Sequence, residues 1–381
     1  MSTVCCMTDL RRRYIDLIRQ DGVSLSPELA TAFGSVPREL FVTGGFHRRD
    51  GSWMEPVDPD FLPTVYSNDV LVTKVDGDRP ISSSSQPSLM AIMLAALDVR
   101  PGMRILEIGA GTGYNAALLA TLGAEVTSVE VQEDVAAHAR AALARAGISR
   151  ARVVTGDGYP GSPDARYDRV IVTVGVAGLS PHWFAQLDPA GFVVAPVEHA
   201  GHHPVLTVTG SGTGRVVCSA GFMGAAGPLG ARHPGSHPPP AGVLHGLTET
   251  APPRWDPPLD STAYRDLWYA AGAWDRRVTR ATLPAGEVVR RDARHAFRSG
   301  EDIYLTLLDE TGTGGAVLLP DGSVLAGGGD ADRRTADAAA LIDRWHRRGR
   351  PPMRAWQVGL TRAGDPDAPI LVPTTWQPAD D

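Results

Sequence analysis

The run RILEIGAGTGY, residues 104 to 114, constrains the fold of this chain more than any other stretch. An apolar strand must turn sharply into the helix NAALLATLG, with its backbone close to whatever the turn holds. Gly109, Gly111 and Gly113 suit that task, because glycine reaches positive φ and carries no Cβ to hold a ligand away. A dinucleotide-binding turn would need the spacing G-x-G-x-x-G/A. Counted from Gly109, its last small position falls on Tyr114, whose ring would obstruct packing against a pyrophosphate.

From residue 88 onward helix and strand patterns alternate. SLMAIMLAALDV, NAALLATLG, EDVAAHARAALARAG and SPHWFAQL read as helices, and RILEIG, EVTSVEV, ARVVTGD, YDRVIVTVG and GFVVAPVE as strands. The alternation implies an α/β fold with a doubly wound, Rossmann-like parallel sheet. PVLTVTG and RVVCSAGF are expected to close it as a terminal hairpin around SGTG. Two acids stand at strand ends. Glu130 closes VTSVEV, 17 residues after Gly113, and Asp157 lies in the tripeptide Gly156-Asp157-Gly158. The first can accept hydrogen bonds from both ribose hydroxyls of an adenosine, since charged acceptors are the stronger ones. The second can accept from the adenine amino group, or simply be a turn residue. With the G-x-G-x-G turn, this constellation is that of class I S-adenosylmethionine-dependent methyltransferases. The candidate cofactor residues are Glu107, Gly109, Gly111, Gly113, Tyr114, Glu130, Val131, Asp157 and Gly158, with Glu107 equally suited to bracing the loop backbone.

Composition narrows the class further. A chain of 381 residues, 43% hydrophobic and 21% charged, can bury more than one core. No stretch approaches the roughly 20 apolar residues of a membrane helix, and MSTVCCMTDLRRRYIDLIRQ has no signal-peptide core. The expectation is a cytoplasmic protein without a membrane partner. The net charge of -7 argues against a nucleic-acid partner. Cys5, Cys6 and Cys218 suggest neither a zinc cluster nor a disulfide framework, so no metal is expected. Oligomeric state is left open.

Four regions follow from the patterning. Residues 1–80 read as helices and loops packed on the core, with helices over 8 to 20 and 26 to 33, the second capped by Ser26 with Pro27 at its first position. Residues 81–223 form the methyltransferase core. Residues 224–260, in which 15 of 37 positions are Gly or Pro, read as a linker. Residues 261–381 read as a C-terminal α+β domain ending in the strand RAWQVGLTR, with a role in substrate recognition. VVRRDARHAFR and DRWHRRGRPPMR within it could grip an acidic peptide, or be solvated helix faces.

Just upstream of the glycine turn stands ISSSSQPSLM, four serines between Ile81 and Gln86-Pro87. This run, together with SVPRELFV, LDVRPGMRILEIGAGTGYNAALLA, GDGYPGSP, YDRVIVTVGV and LDPAGFVVAPV, resembles the successive motifs of the protein-L-isoaspartate O-methyltransferase family over about residues 8 to 222. The resemblance implies transfer of a methyl group from S-adenosylmethionine to a carboxylate on a peptide, with S-adenosylhomocysteine as product. It places an active-site serine in the run. Two serines more than the family's I-S-Q-P leave two counterparts: alignment on Gln86-Pro87 selects Ser85, the preferred choice, and alignment on Ile81 selects Ser82. Ser84, Gln86, Pro87 and Thr173 are the accompanying substrate-site candidates. Met90 stands where some members have histidine, and no role is carried over for it.

The extension beyond residue 222 resembles the elongated branch of the family associated with ribosomally synthesised peptides of the lanthipeptide type. That likeness implies a modified precursor peptide as partner and an ordinary aspartate as target. The methyl ester would cyclise to aspartimide, which can open to isoaspartate. An aspartyl carboxylate, with a pKa of roughly 4, is already ionised at neutral pH, so the reaction needs no general base. Holding the reacting atoms in line is worth up to about 7 to 11 kcal/mol. Three rivals remain at this stage. One is general repair of isoaspartyl residues. A nucleic-acid methyltransferase is disfavoured because TVGV stands where a D/N-P-P-Y-like motif is expected. The third is a non-catalytic peptide-binding scaffold.

Overall fold

The computed structural model describes residues 3–230, 233, 235, 244, 246–283, 303–308, 314–328 and 330–378. The arginine-rich stretch 288–298 and much of the Gly/Pro run after residue 230 lie outside the described residues.

The N-terminal region contains α1 (Thr3–Gln20), α2 (Pro27–Ser35), β1 (Phe46–His47), β2 (Trp53–Met54), α3 (Phe61–Val65), β3 (Leu71–Asp76), β4 (Arg79–Ser84) and α4 (Pro87–Leu97). Ser26 caps α2 as expected, accepting from the Leu29 amide. The region is not only helix and loop: its strands form a four-stranded sheet in the order β2-β1-β3-β4. The serine run is the last of these strands, so the expected boundary at residue 80 falls inside β4. Serine has little apolar surface to signal a strand, and the pairing with β3 is what makes it one.

The core follows with β5 (Arg104–Ile108), α5 (Tyr114–Thr121), β6 (Glu125–Glu130), α6 (Glu133–Arg145), β7 (Ala151–Thr155), β8 (Tyr167–Val172), α7 (Pro181–Ala185), β9 (Leu187–Pro196), β10 (Val205–Thr209) and β11 (Thr213–Cys218). Strands β9, β8, β5, β6 and β7 are parallel neighbours in that order. The chain runs from β5 outward to β7 and then returns to β8 on the other side of β5. The crevice at the carboxyl ends of β5 and β8 is therefore the topological switch point, where open α/β sheets bind ligands.

The final third contains β12 (Thr248–Ala251), α8 (Ser261–Trp274), β13 (Val278–Thr282), β14 (Ile303–Leu308), β15 (Gly315–Leu318), β16 (Val324–Ala326), α9 (Ala331–Arg347), β17 (Trp356–Asp365) and β18 (Ala368–Pro378). β12 to β16 form a separate antiparallel sheet in the order β12-β16-β15-β14-β13. Three expectations are corrected here. The β10–β11 hairpin does not end the large sheet, because β17 pairs with β11 and β18 with β17, giving nine strands. RAWQVGLTR is accordingly not the last strand. The segment read as a linker also contributes β12, and its Leu229 is buried.

Burial explains why the last third joins the large sheet. Successive strand residues point to opposite faces. Ile105, Ile171 and Val194 enter one cluster with Tyr14, Phe33, Leu94 and Leu118 of the N-terminal and core helices. Leu106, Val170, Val172 and Val193 enter a second cluster with Trp183, Trp268, Trp345 and Val358. A parallel sheet needs both faces covered, and α7, α8 and α9 share the second face. Trp268 donates from Nε1 to the Ala200 carbonyl at 3.0 Å, and His199 Nε2 donates to the Tyr269 carbonyl at 2.8 Å, fixing α8 against the turn after β9.

A chain ending at residue 223 would bare this second face and leave β11 as an open edge. It is expected to aggregate and to lose the cooperative melt of the full chain, as read by light scattering and near-UV circular dichroism. A soluble fragment with a sharp melt would show that the last third is dispensable to the core.

Candidate functional site

The three glycines of the turn all lie at positive φ: +93° at Gly109, +51° at Gly111 and +86° at Gly113. Two of them are also sterically pinned. A Cβ on Gly109 would stand 2.8 Å from Thr173 Oγ1, and one on Gly111 would stand 3.1 Å from the Ser83 carbonyl oxygen. The serine strand thus lies directly against the glycine turn, although the two are some 30 residues apart in sequence.

Glu130 ends β6 facing this turn. It is buried, and its Oε2 accepts from the Gly111 amide while Oε1 accepts from the Gln132 amide, each at 3.1 Å. A carboxylate offers about four acceptor positions, so two remain for hydroxyl donors. Val131 beside it is 53% exposed, an apolar surface left uncovered at the crevice. Asp157 is exposed at the end of β7, where one oxygen caps the Tyr159 amide at 2.9 Å. Gly158 packs on Ile108, with no room for a Cβ.

Three of the sequence candidates are placed differently from expectation. Glu107 is fully buried beneath the turn, its two oxygens taken by the Asn115 amide group at 2.7 Å and the Ser128 hydroxyl. That is the position of a brace, supported by side chains and not by the loop backbone. Tyr114 turns its ring away from the crevice, into a cluster with Phe33 and Phe41. Its hydroxyl lies 3.3 Å from that of Tyr14. The first residue of α5 faces the N-terminal helices, so its side chain packs there. Thr173 donates its hydroxyl to the carbonyls of Ile108 and Gly109, at 3.0 and 2.5 Å, and so supports the turn.

The serine run alternates as a strand must. Ser82 and Ser84 are buried; Ser83 and Ser85 are half-buried on the other side. Ser82 Oγ points back to Thr73 Oγ1 at 3.4 Å. Ser84 Oγ accepts from Arg38 Nε at 3.2 Å. Among the described residues the Ser85 hydroxyl has no hydrogen-bond partner, while its carbonyl accepts from Arg38. Gln86 precedes α4 as its N-cap, and Pro87 is its first residue.

Two residues that sequence reasoning passed over prove central. Arg38 is wholly buried and donates to the carbonyls of Val65, Ser67, Asp69, Ser84 and Ser85 at 2.8 to 3.3 Å. Its motif SVPRELFV was visible, but nothing in it signals a buried guanidinium. Gln132, two positions after Glu130, donates from Nε2 to the Ile81 carbonyl at 3.1 Å and ties the serine strand to β6. Lys74, the only lysine, adds an exposed pair with Asp134 at 2.6 Å from β3 to α6.

The residues present fit an adenosyl cofactor carrying a sulfonium. The glycine floor excludes any Cβ, Glu130 keeps free acceptor positions, and Val131 offers an apolar surface beside it.

Comparison with known proteins agrees. The family model described as Protein-L-isoaspartate(D-aspartate) O-methyltransferase matches residues 10–221. A protein-L-isoaspartate O-methyltransferase of Thermotoga maritima is 38% identical over 193 residues, covering 50% of this chain and 56% of that protein. One of Methanoculleus marisnigri is 45% identical over 126 residues, 32% of this chain and 57% of its own length. The chain thus spans little more than half the length of these two. One of Pyrococcus horikoshii is 32% identical over 191 residues, 49% of this chain and 76% of its own length. A solved protein-L-isoaspartate O-methyltransferase structure aligns over 96% of this chain and 99% of its own, with a TM-score of 0.52 and 24% identity, a likeness of fold.

Glu130→Gln removes the charge facing the crevice. It is expected to weaken S-adenosylhomocysteine binding about ten- to hundredfold by isothermal titration, in line with a loss of about 1.5 to 3 kcal/mol per charged hydrogen bond. Burial raises Glu107 from its ordinary 4.5 to about 7. The fold therefore favours its neutral form, and that stability, full below pH 4.5, is lost as pH rises to about 7. Glu107→Gln is neutral throughout, so it should gain on the wild type in urea melts between about pH 5 and about pH 8. A pH-independent difference would contradict the burial argument.

Proposed function

The chain belongs to the protein-L-isoaspartate(D-aspartate) O-methyltransferase family, and from that premise we propose that it is an S-adenosylmethionine-dependent O-methyltransferase acting on an aspartyl-type carboxylate of a peptide. The observation that carries this reading is the contact of the serine strand with the glycine turn: the Ser83 carbonyl lies against Gly111, and among the described residues the Ser85 hydroxyl beside it has no hydrogen-bond partner. When bound, S-adenosylmethionine supplies an electrophilic methyl on sulfur. Gly109, Gly111, Gly113, Glu130, Val131, Asp157 and Gly158 would hold it, and Glu107 and Thr173 would brace the turn.

Ser85 is the better of the two serine candidates. Ser82 is buried and turned toward Thr73, whereas Ser85 has a free hydroxyl next to Gln86 and Pro87. Its role would be to orient the carboxylate, a donor offered to an oxygen that is already ionised and needs no base. Arg38 fixes the Ser84 and Ser85 carbonyls, and so restricts where that hydroxyl can point. Ser84, with its hydroxyl committed to Arg38, would shape the pocket without touching substrate.

The finer proposal is a dedicated substrate: an aspartate of a ribosomally made, modified peptide, whose ester cyclises to aspartimide and can open to isoaspartate. It is supported by the units after residue 223, which extend the large sheet beyond β11 and cover one of its faces, since one particular peptide needs recognition surface beyond a small pocket. The alternative is general repair of isoaspartyl residues. It is favoured by relatives named protein-L-isoaspartate O-methyltransferase.

Incubation with S-adenosylmethionine and matched Asp-Gly, isoAsp-Gly and gene-neighbour peptides, read by mass spectrometry, separates the two. The dedicated reading expects a one-methyl gain or a water loss confined to the neighbouring peptide, lost in Ser85→Ala and kept in Ser82→Ala. Methylation of isoAsp-Gly peptides in general, with Asp-Gly untouched, would establish repair instead.

A further inference from the structure

From residue 344 the chain reads RWHRRGRPPMR, and Arg344, His346, Arg347, Arg348, Arg350 and Arg354 are all exposed. Among the described residues none of the six pairs with a carboxylate. The acids closest in sequence are engaged elsewhere: Asp343 by Arg254 and Asp337 by Arg277. In a chain of net charge -7 this is a local reversal of sign.

Basic residues in the last turn of a helix complement its dipole, and that accounts for Arg344, His346 and Arg347. It does not account for Arg348, Arg350 and Arg354, which lie beyond the end of α9. Three of the guanidiniums are also held in place. Arg344 and Arg348 lie 4.4 and 6.0 Å from the Trp274 ring centre, and Arg350 lies 5.4 Å from Trp255 and 5.5 Å from Trp345. Stacking fixes the guanidinium plane and, although Arg350 donates from Nε to His346 Nδ1 at 3.3 Å, leaves the terminal N–H groups for a carboxylate. Burial against these groups, together with the charges of Arg348 and Arg347, lowers the pKa of Arg344. An incoming anion would relieve that repulsion.

The register of the large sheet locates the patch. Val205 at the start of β10 pairs with both Pro196 and Cys218, so β11 ends at the same edge as β9, the carboxyl edge that holds the crevice. The turn from α9 into β17 sits there too, with Arg354 Nε donating to the Val217 carbonyl at 2.9 Å. In the order β8-β9-β10-β11-β17 the patch is three to four strands from the switch point, roughly 14 to 19 Å at about 4.8 Å per strand. An extended peptide covers that span in about four to six residues.

We propose that this surface binds an acidic segment of the peptide substrate, roughly four to six residues from the carboxylate that receives the methyl group. The proposal rests on the methyltransferase reading above, and specifies how the added unit selects its peptide.

The test uses the full chain and two fluorescein-labelled peptides, identical except for a cluster of glutamates or of glutamines about six residues from the target. Anisotropy should show the glutamate peptide bound at least about fivefold more tightly at low salt, with the advantage vanishing at high salt. R347E/R348E alters two exposed arginines outside the crevice. It should keep the melting temperature and kcat, erase the preference in KM, and favour a lysine version of the peptide. Equal binding of both peptides by the folded wild type would overturn the proposal. So would tighter binding of single-stranded DNA of equal length, which would assign the patch to nucleic acid. A glutamate preference without methyl transfer to any peptide would uphold the surface and sink the catalytic reading instead.

Discussion

The buried guanidinium of Arg38 is the constraint on which the candidate site depends. It carries its charge into a region with no solvent exposure, and among the described residues no carboxylate pairs with it. Five backbone carbonyls and the Ser84 hydroxyl do so, and the Tyr14 and Tyr114 rings lie within 6 Å of the guanidinium carbon. The accepting groups come from the end of α3, the turn before β3 and the end of the serine strand. A strand of serines has little apolar surface with which to fix its own register. Arg38 supplies the missing specification, and loss of its fork would leave several buried carbonyls unpaired, each costing about 1 to 3 kcal/mol.

Beneath the crevice the same logic recurs in smaller form. Three of the five residues in the turn have no side chain, so its neighbours hold it. Glu107 with Asn115 and Ser128 braces it from below, Thr173 grips its carbonyls, and Glu130 takes the Gly111 amide. A preorganised turn loses less freedom when a ligand binds, which is what a cofactor site needs. Glu107 kept near neutrality by burial is compatible with this, since a brace needs hydrogen bonds and not charge.

The last third of the chain is tied to the core by geometry that is unusual for an appended unit. Its strands β17 and β18 extend the large sheet, and α8 and α9 share the hydrophobic cluster on one face of that sheet. The proposed peptide-binding surface would therefore be coupled to the stability of the core, because the turn that carries Arg354 also feeds β17 into the sheet edge.

The sequence by itself determined the parallel core, because glycine spacing, strand-end acids and alternating periodicity are local features that read in one dimension. Gly109, Gly111, Gly113, Glu130 and Asp157 all stand at the ends of the strands expected of them. It also marked Ser82 and Ser85 as alternatives, with Ser85 preferred on the alignment to Gln86-Pro87. Only the tertiary structure shows what surrounds them, since Ser82 is buried toward Thr73 and Arg38 arrives from 46 residues away to hold Ser84. The burial of Tyr114, the service of Glu107 and Thr173 as braces, and the annexation of β17 by the core sheet were likewise decided in three dimensions. Each depends on which surface a side chain or strand edge meets, and that is set by packing between segments distant in the chain.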